Sequence, residues 1–257
     1  MLPCSHTDAL PTTAGIDKVD KLRFQDFLQG ALKRNLPEWP ETLTRLLQSM
    51  NLATDSGVLN LAGVLLFAER PELVAPQCVV KGARYLGNEA YVGGYTDNRD
   101  FSGPLRKVFD DALAFILRYL HKVQAGRGVN SPGLPEVPES VFEELLTNAL
   151  VHRDYLLNVP IQIFIFDNRV EIISPGHLLN GVTAEKIMEG NSNIARNPIL
   201  ASYAVKGLLP YRGQGVGIRR ALKSWPDIAF VDNREERLFT ARIRRPGIMG
   251  ETRGLPD

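Results

Sequence analysis

With 257 residues, 44% of them hydrophobic, and 30 Lys and Arg against 29 Asp and Glu, the chain has the proportions of an ordinary folded protein with one large core or two modest ones. Its net charge of +1 excludes general electrostatic attraction to nucleic acid or an anionic membrane, so any such contact must be local. Cys4 and Cys78 lack metal-ligand spacing and no apolar run approaches the length that spans a bilayer, which points to a reducing, cytoplasmic setting without a disulfide framework.

Residues 1–16 carry little periodicity and read as a flexible lead-in. Leu22, Phe24, Phe27, Leu28, Ala31 and Leu32 recur at helical spacing from Asp20, and Pro40 to Met50 starts a second helix with proline at a permitted place. Asp55-Ser-Gly57 reads as a turn. The apolar run Asn60–Ala68 fits a buried strand or a capped helix, with helix preferred. Alternation over Cys78–Leu86 predicts a strand, residues 87–103 a loop, and Pro104–His121 a long helix. The Gly- and Pro-rich stretch 124–138 is the best candidate boundary, dividing a mainly helical segment, 17–123, from a second unit, 124–246, followed by a tail, 247–257.

That second unit opens on the helix Glu139–Tyr155, with Pro138 at its first turn. Val141, Phe142, Leu145, Leu146, Ala149 and Leu150 share its apolar face. At about 100° per residue, Glu144, Asn148 and His152 line one border of that face, while Glu143 and Thr147 point further towards solvent. His152 is expected to be a hydrogen-bonded edge residue, and Arg153-Asp154 to fix the helix end. Val159–Phe166 and Arg169–Ile173 flank Asp167-Asn168, a two-residue hairpin signal. Thr183 caps a short helix to Glu189, residues 190–198 are polar and irregular, and Ile199–Lys206 is a helix ended by Gly207. Arg212-Gly-Gln-Gly-Val-Gly217 runs into the helix Ile218–Trp225, and residues 228–231 and 237–243 close the chain as a second hairpin.

Gly213, Gly215 and Gly217 leave backbone N–H groups unshielded before a helix N-terminus, an arrangement that suits phosphate. The spacing is neither a dinucleotide fingerprint, since Ile218 stands where its third glycine belongs, nor a Walker A loop, since no Gly-Lys-Ser/Thr occurs.

The order of these parts resembles the GHKL, or Bergerat, nucleotide-binding sandwich: Glu-x-x-x-Asn-Ala on a helix, a hairpin, a lid region, a Gly-x-Gly-x-Gly loop opening a helix, and a final hairpin. Asn148-Ala-Leu-Val-His-Arg-Asp-Tyr155, Val170 to Gly176 and Arg196-Asn-Pro198 are similar to the ATPase module of bacterial RecG-like, Schlafen/AlbA-type transcriptional regulators. The resemblance implies an α+β fold with a mixed, mostly antiparallel sheet and helices on one face, preceded by a mainly helical segment. It implies ATP or a related purine nucleotide as ligand, with Mg²⁺. Glu144 would be the catalytic carboxylate that activates water and Asn148 the Mg²⁺ ligand. Ser174, Gly176, Arg196, Gly213, Gly215 and Gly217 would join Asn148 in binding nucleotide, with Arg153 and Arg212 as further phosphate partners and residues 190–217 as a lid.

Two positions depart from the wider fold, Ser174 and Val151 standing where carboxylates are usual. They favour the alternative, a degenerate scaffold without turnover that acts in dimerisation or DNA-linked regulation. The expected partners are thus the nucleotide, a second copy of the chain in a homodimer, and DNA only through other domains or proteins, with no membrane. No Walker A loop or DEAD-type box supports helicase activity.

Overall fold

The computed structural model describes residues 6–37, 40–90, 94–123, 133–179, 181–190, 194–211 and 215–246. Residues 6–16, expected as a flexible lead-in, are instead built into the fold. Strand β1 (Pro11–Gly15) pairs antiparallel with β2 (Val58–Asn60). Fully buried Asp8 accepts the backbone N–H groups of Ile199 at 2.7 Å and Leu200 at 3.0 Å, and so caps a helix near the other end of the chain. Burial raises the pKa of that carboxyl above its ordinary value.

The helical part of the N-terminal half follows its periodicity. Asp20 caps α1 (Lys21–Phe27), which continues through a wider turn to Leu32; α2 spans Pro40–Ser49. Asn60 caps α3 (Leu61–Phe67) through its side chain, at 2.8 Å to the Gly63 N–H, which settles the ambiguous apolar run as a helix. Leu22, placed with the apolar set, is exposed; Phe24 and Phe27 carry the packing against Phe67 and Tyr203. A short helix, α4 (Pro71–Val74), leads to the sheet.

Among the described residues that sheet has six strands in the order β4-β3-β7-β8-β10-β9: β3 (Val80–Tyr85), β4 (Tyr95–Phe101), β7 (Ile161–Ile165), β8 (Arg169–Pro175), β9 (Ile228–Asn233) and β10 (Leu238–Arg244). Strand β4 lies inside the stretch expected as a loop. All pairings are antiparallel except β3 with β7, which run parallel with Val80 opposite Ile161. Division of the chain at 123/124 is therefore corrected: β3, β4 and α5 (Leu105–Arg118) belong to the same sheet and core as the later strands. The connector is held at its base by β5 (Lys122–Val123) paired with β6 (Leu134–Pro135), while residues 124–132 lie outside the described residues. So do Cys4 and the tail 247–257.

Helix α6 (Glu139–His152) packs between α5, the sheet and α9 (Gly217–Ser224). It is covered on nearly all sides, so Thr147, expected towards solvent, is fully buried. The chain passes through α7 (Ala184–Glu189), capped by the Thr183 side chain, and α8 (Pro198–Tyr203), which extends as a wide turn to Leu208 with Gly207 at φ 95°. Tyr203 donates its hydroxyl to the Met50 carbonyl at 2.8 Å, locking α8 to the N-terminal helices.

Candidate functional site

The end of α6 is set by a rigid polar corner. Arg153 is almost fully buried and donates to the carbonyls of Gln77 at 2.8 Å, Val159 at 2.7 Å and Leu157 at 3.3 Å, with its guanidinium 5.1 Å from the Tyr155 ring centroid. Asn197 donates to the carbonyls of Val151 at 2.9 Å and Arg153 at 2.8 Å, which supplies partners for the orphan acceptors of the last helical turn. Buried Asp154 receives Arg196 and Arg237, each at 3.3 Å, and its N–H donates to Pro175 at 2.8 Å. Gly176 is required beside it: φ is 107°, and a Cβ would come within 2.7 Å of the Asp154 Cβ. Arg153 and Asp154 thus fix the helix end as expected, but through separate partners. The expectation of Arg153 as a phosphate partner is corrected, because its side chain is enclosed and turned onto carbonyls.

This corner and α6 wall one side of a cavity of about 330 Å³. Glu144, Asn148 and His152 face it from α6, Ile172 and Phe239 from the sheet, and Gly215 to Ile218 with Arg220 from the start of α9. Most of the lining is apolar, with polar groups gathered along the α6 edge and at Ser174, His177 and Arg196. A concave, mostly apolar hollow with a few convergent polar groups is the usual form of a small-molecule site.

At the polar end, Asn148 donates its amide to the Glu144 carbonyl at 2.7 Å and to Glu144 Oε1 at 2.9 Å. Glu144 Oε2 receives Arg220 Nη2 at 2.9 Å. The carboxylate lies so close to α9 that a Cβ on Gly217 would sit 1.5 Å from Oε1 and 2.1 Å from Cδ. Gly217 is therefore needed for close approach rather than for an unusual φ. Asn148 Oδ1 has no protein donor among the described residues, which leaves it available to a cation or a water.

Further along, Ser174 Oγ donates to the Ala149 carbonyl at 3.2 Å, tying β8 to α6. Arg196 Nη2 donates to the His177 carbonyl at 2.6 Å in addition to its Asp154 pair. His152 sits beside Tyr211, with Nε2 3.4 Å from the hydroxyl. Burial and the positive charge of Arg196 push the His152 imidazolium down to about 4, so it is neutral near pH 7. Burial, then the Glu144 charge, raises the Tyr211 phenol.

The structure thus brings Glu144, Asn148, Ser174, Gly176, Arg196, Gly215 and Gly217 to one cavity. Gly213 and Arg212 lie outside the described residues, as do parts of the expected lid, 191–193 and 212–214. Sequence reasoning missed Arg220 and Tyr211. A signal for Arg220 exists: Arg219-Arg220 puts positive charge in the first turn of α9, opposed to the helix dipole unless an anion is nearby. Tyr211 has no comparable local signal.

Residues 158–235 are similar to the family model described as "Putative ATP-dependent DNA helicase recG C-terminal", a likeness confined to that segment. The matched segment begins after α6, so Glu144 and Asn148 lie outside it. No curated protein matches the sequence. Among solved structures, the DIP2311 protein from Corynebacterium diphtheriae superposes with a TM-score of 0.67 at 19% identity, over 95% of this chain and 40% of its own. That likeness shows a shared fold, and the chain spans well under half of that protein's length. No helix among the described residues is long and apolar enough to cross a membrane.

Proposed function

We propose that the cavity between α6 and α9 binds a purine nucleoside triphosphate with Mg²⁺, and that Glu144 serves as the base for slow hydrolysis. The observation that carries this reading is the juxtaposition of Glu144 and Asn148, one helical turn apart and joined at 2.9 Å, with the bare glycine start of α9. In the reaction, a water oxygen bonds to the terminal phosphorus, the bond from phosphorus to the bridging oxygen breaks, and the diphosphate leaves. Glu144 takes the proton of the attacking water.

The donor set fits a cation carried in by the nucleotide. Asn148 offers one neutral oxygen, and among the described residues no group of three His, Cys, Asp or Glu forms a protein cage. Such a site suits Mg²⁺, which commonly keeps waters and phosphate oxygens and takes one or two protein ligands. When bound, the ion would neutralise developing phosphate charge. Arg196 and Gly176 line the cavity beside the Asp154 corner, and Gly215 and Gly217 line it at the start of α9.

Nucleotide turnover would drive a conformational switch in a transcriptional regulator, with DNA engaged through other domains or proteins and a second copy of the chain as a dimer partner. One observation favours the alternative of a scaffold without turnover: Ser174 spends its proton on the Ala149 carbonyl and supplies no carboxylate to the base. A Glu144→Ala variant decides between the two. The nucleotide reading predicts retained binding of a non-hydrolysable ATP analogue and loss of phosphate release; phosphate release unchanged from wild type, or absent in both together with binding, would overturn it.

A further inference from the structure

The ion pair at the mouth of the α9 helix is placed where the proposed phosphates would enter. Glu144 is the buried partner, with 8% of its side chain accessible, and Arg220 the outer one, at 39%. The carboxylate is seated against the bare backbone of Gly217, at the start of an eight-residue helix. It therefore fills the position in which an anion would profit both from the helix start and from a guanidinium.

We propose that Arg220 exchanges partners on nucleotide binding, leaving Glu144 for the terminal phosphate and so releasing the carboxylate to act as base. The inference rests on the nucleotide reading of the cavity and adds to it a phosphate-contacting residue and a mechanism of activation. With Oε1 accepting from Asn148 and Oε2 from Arg220, both carboxylate oxygens are engaged, and the attacking water has no free oxygen to approach until one partner leaves. A triphosphate brings several negative charges to the same guanidinium and offers two terminal oxygens to its planar fork. Arg220 is the partner able to move, since it already reaches solvent, whereas Glu144 is fixed on a covered helix and held by Asn148 at 2.9 Å. The protein would thus keep its base occupied until a phosphate arrives.

The test is calorimetric titration of the full chain with a non-hydrolysable ATP analogue and with AMP, in wild type, Arg220→Gln, Arg220→Lys, Glu144→Gln and the double variant Glu144→Gln/Arg220→Gln. Arg220→Gln should weaken the ATP analogue about 10- to 100-fold, the worth of a charge-assisted hydrogen bond, while changing AMP by less than about 2-fold. Arg220→Lys should recover part of the loss. Glu144→Gln should tighten the ATP analogue by about 2- to 5-fold, because a partly exposed ion pair no longer has to be broken. The double variant should not show that tightening.

Equal weakening of ATP analogue and AMP by Arg220→Gln would mean a structural role and overturn the exchange. So would a Glu144→Gln protein that binds no tighter than wild type. If Arg220→Gln fails to fold by its melting curve, the Arg220→Lys and Glu144→Gln titrations decide the matter. Absence of binding by wild type itself would remove the nucleotide reading and this inference with it; binding by wild type without the variant pattern removes the exchange alone.

Discussion

Replacing Gly217 by alanine would place a methyl group where the Glu144 carboxylate lies. The nearest approach, 1.5 Å to Oε1, is far inside any real contact, and 2.1 Å to Cδ means that rotation of the carboxylate alone does not relieve it. Glu144 must leave its seat. It then loses the Arg220 pair, worth about 0.5–1 kcal/mol given the exposure of Arg220, and the Asn148 hydrogen bond, worth about 1 kcal/mol. Rehousing a largely buried carboxylate adds about 1–2 kcal/mol. Against this, alanine improves on glycine in a helix by at most about 1 kcal/mol. The net expectation is a loss of about 1.5–4 kcal/mol, read as a fall in melting temperature of about 3–16 °C for a chain of this size. In a Glu144→Ala background the obstacle is gone, so the same Gly217→Ala change should be neutral or stabilising by up to about 1 kcal/mol. Differential scanning calorimetry or denaturant melts of the four proteins give the coupling directly. An identical shift in both backgrounds would refute the placement of Glu144 against α9.

Three further outcomes are expected. Arg153→Met should cost about 3 kcal/mol in urea melts, because three carbonyls lose a charged donor inside the protein; a change under about 0.5 kcal/mol would show that Arg153 does not join α6 to the Gln77 segment. Asp8→Ala should destabilise by about 1–2 kcal/mol through loss of the α8 cap, and a wild-type melt would mean that residues 6–16 are not anchored. His152 stays neutral in the folded protein down to about 4 but takes a proton near 6.5 when unfolded, so its contribution is complete above pH 6.5 and is lost as pH falls towards 4. Melts between pH 7 and 4.5 should lose part of their acid sensitivity in His152→Gln, and an unaltered pH dependence would contradict the burial of the ring.

Legibility of the fold varied with the physical source of each feature. Periodicity placed α1, α2, α5 and α6, and the Asp167-Asn168 signal placed the β7–β8 hairpin, because those features are encoded locally. Strand β4 was hidden because Tyr95-Thr-Asp-Asn-Arg-Asp-Phe101 is an edge strand, mostly exposed, with no alternation to betray it. The Gly/Pro connector suggested a boundary, yet the parallel pairing of β3 with β7 crosses it, and long-range pairing leaves no mark in composition. Helical spacing located the edge bearing Glu144 and Asn148, but not that neighbouring elements would cover the next face as well, which is why Thr147 reads as solvent-facing in the sequence. Asp8 was invisible for the same reason: its partners are the N–H groups of Ile199 and Leu200, far away in the chain.

The most direct test of the nucleotide site is calorimetric titration of the protein with a non-hydrolysable ATP analogue, with and without Mg²⁺, beside Asn148→Ala. Asn148 holds Glu144 in place and offers Oδ1, so the account predicts micromolar binding to wild type that weakens on removal of Mg²⁺ and on the substitution. No heat and no thermal shift for wild type at millimolar nucleotide would contradict it, leaving the cavity between α6 and α9 as a feature of a scaffold.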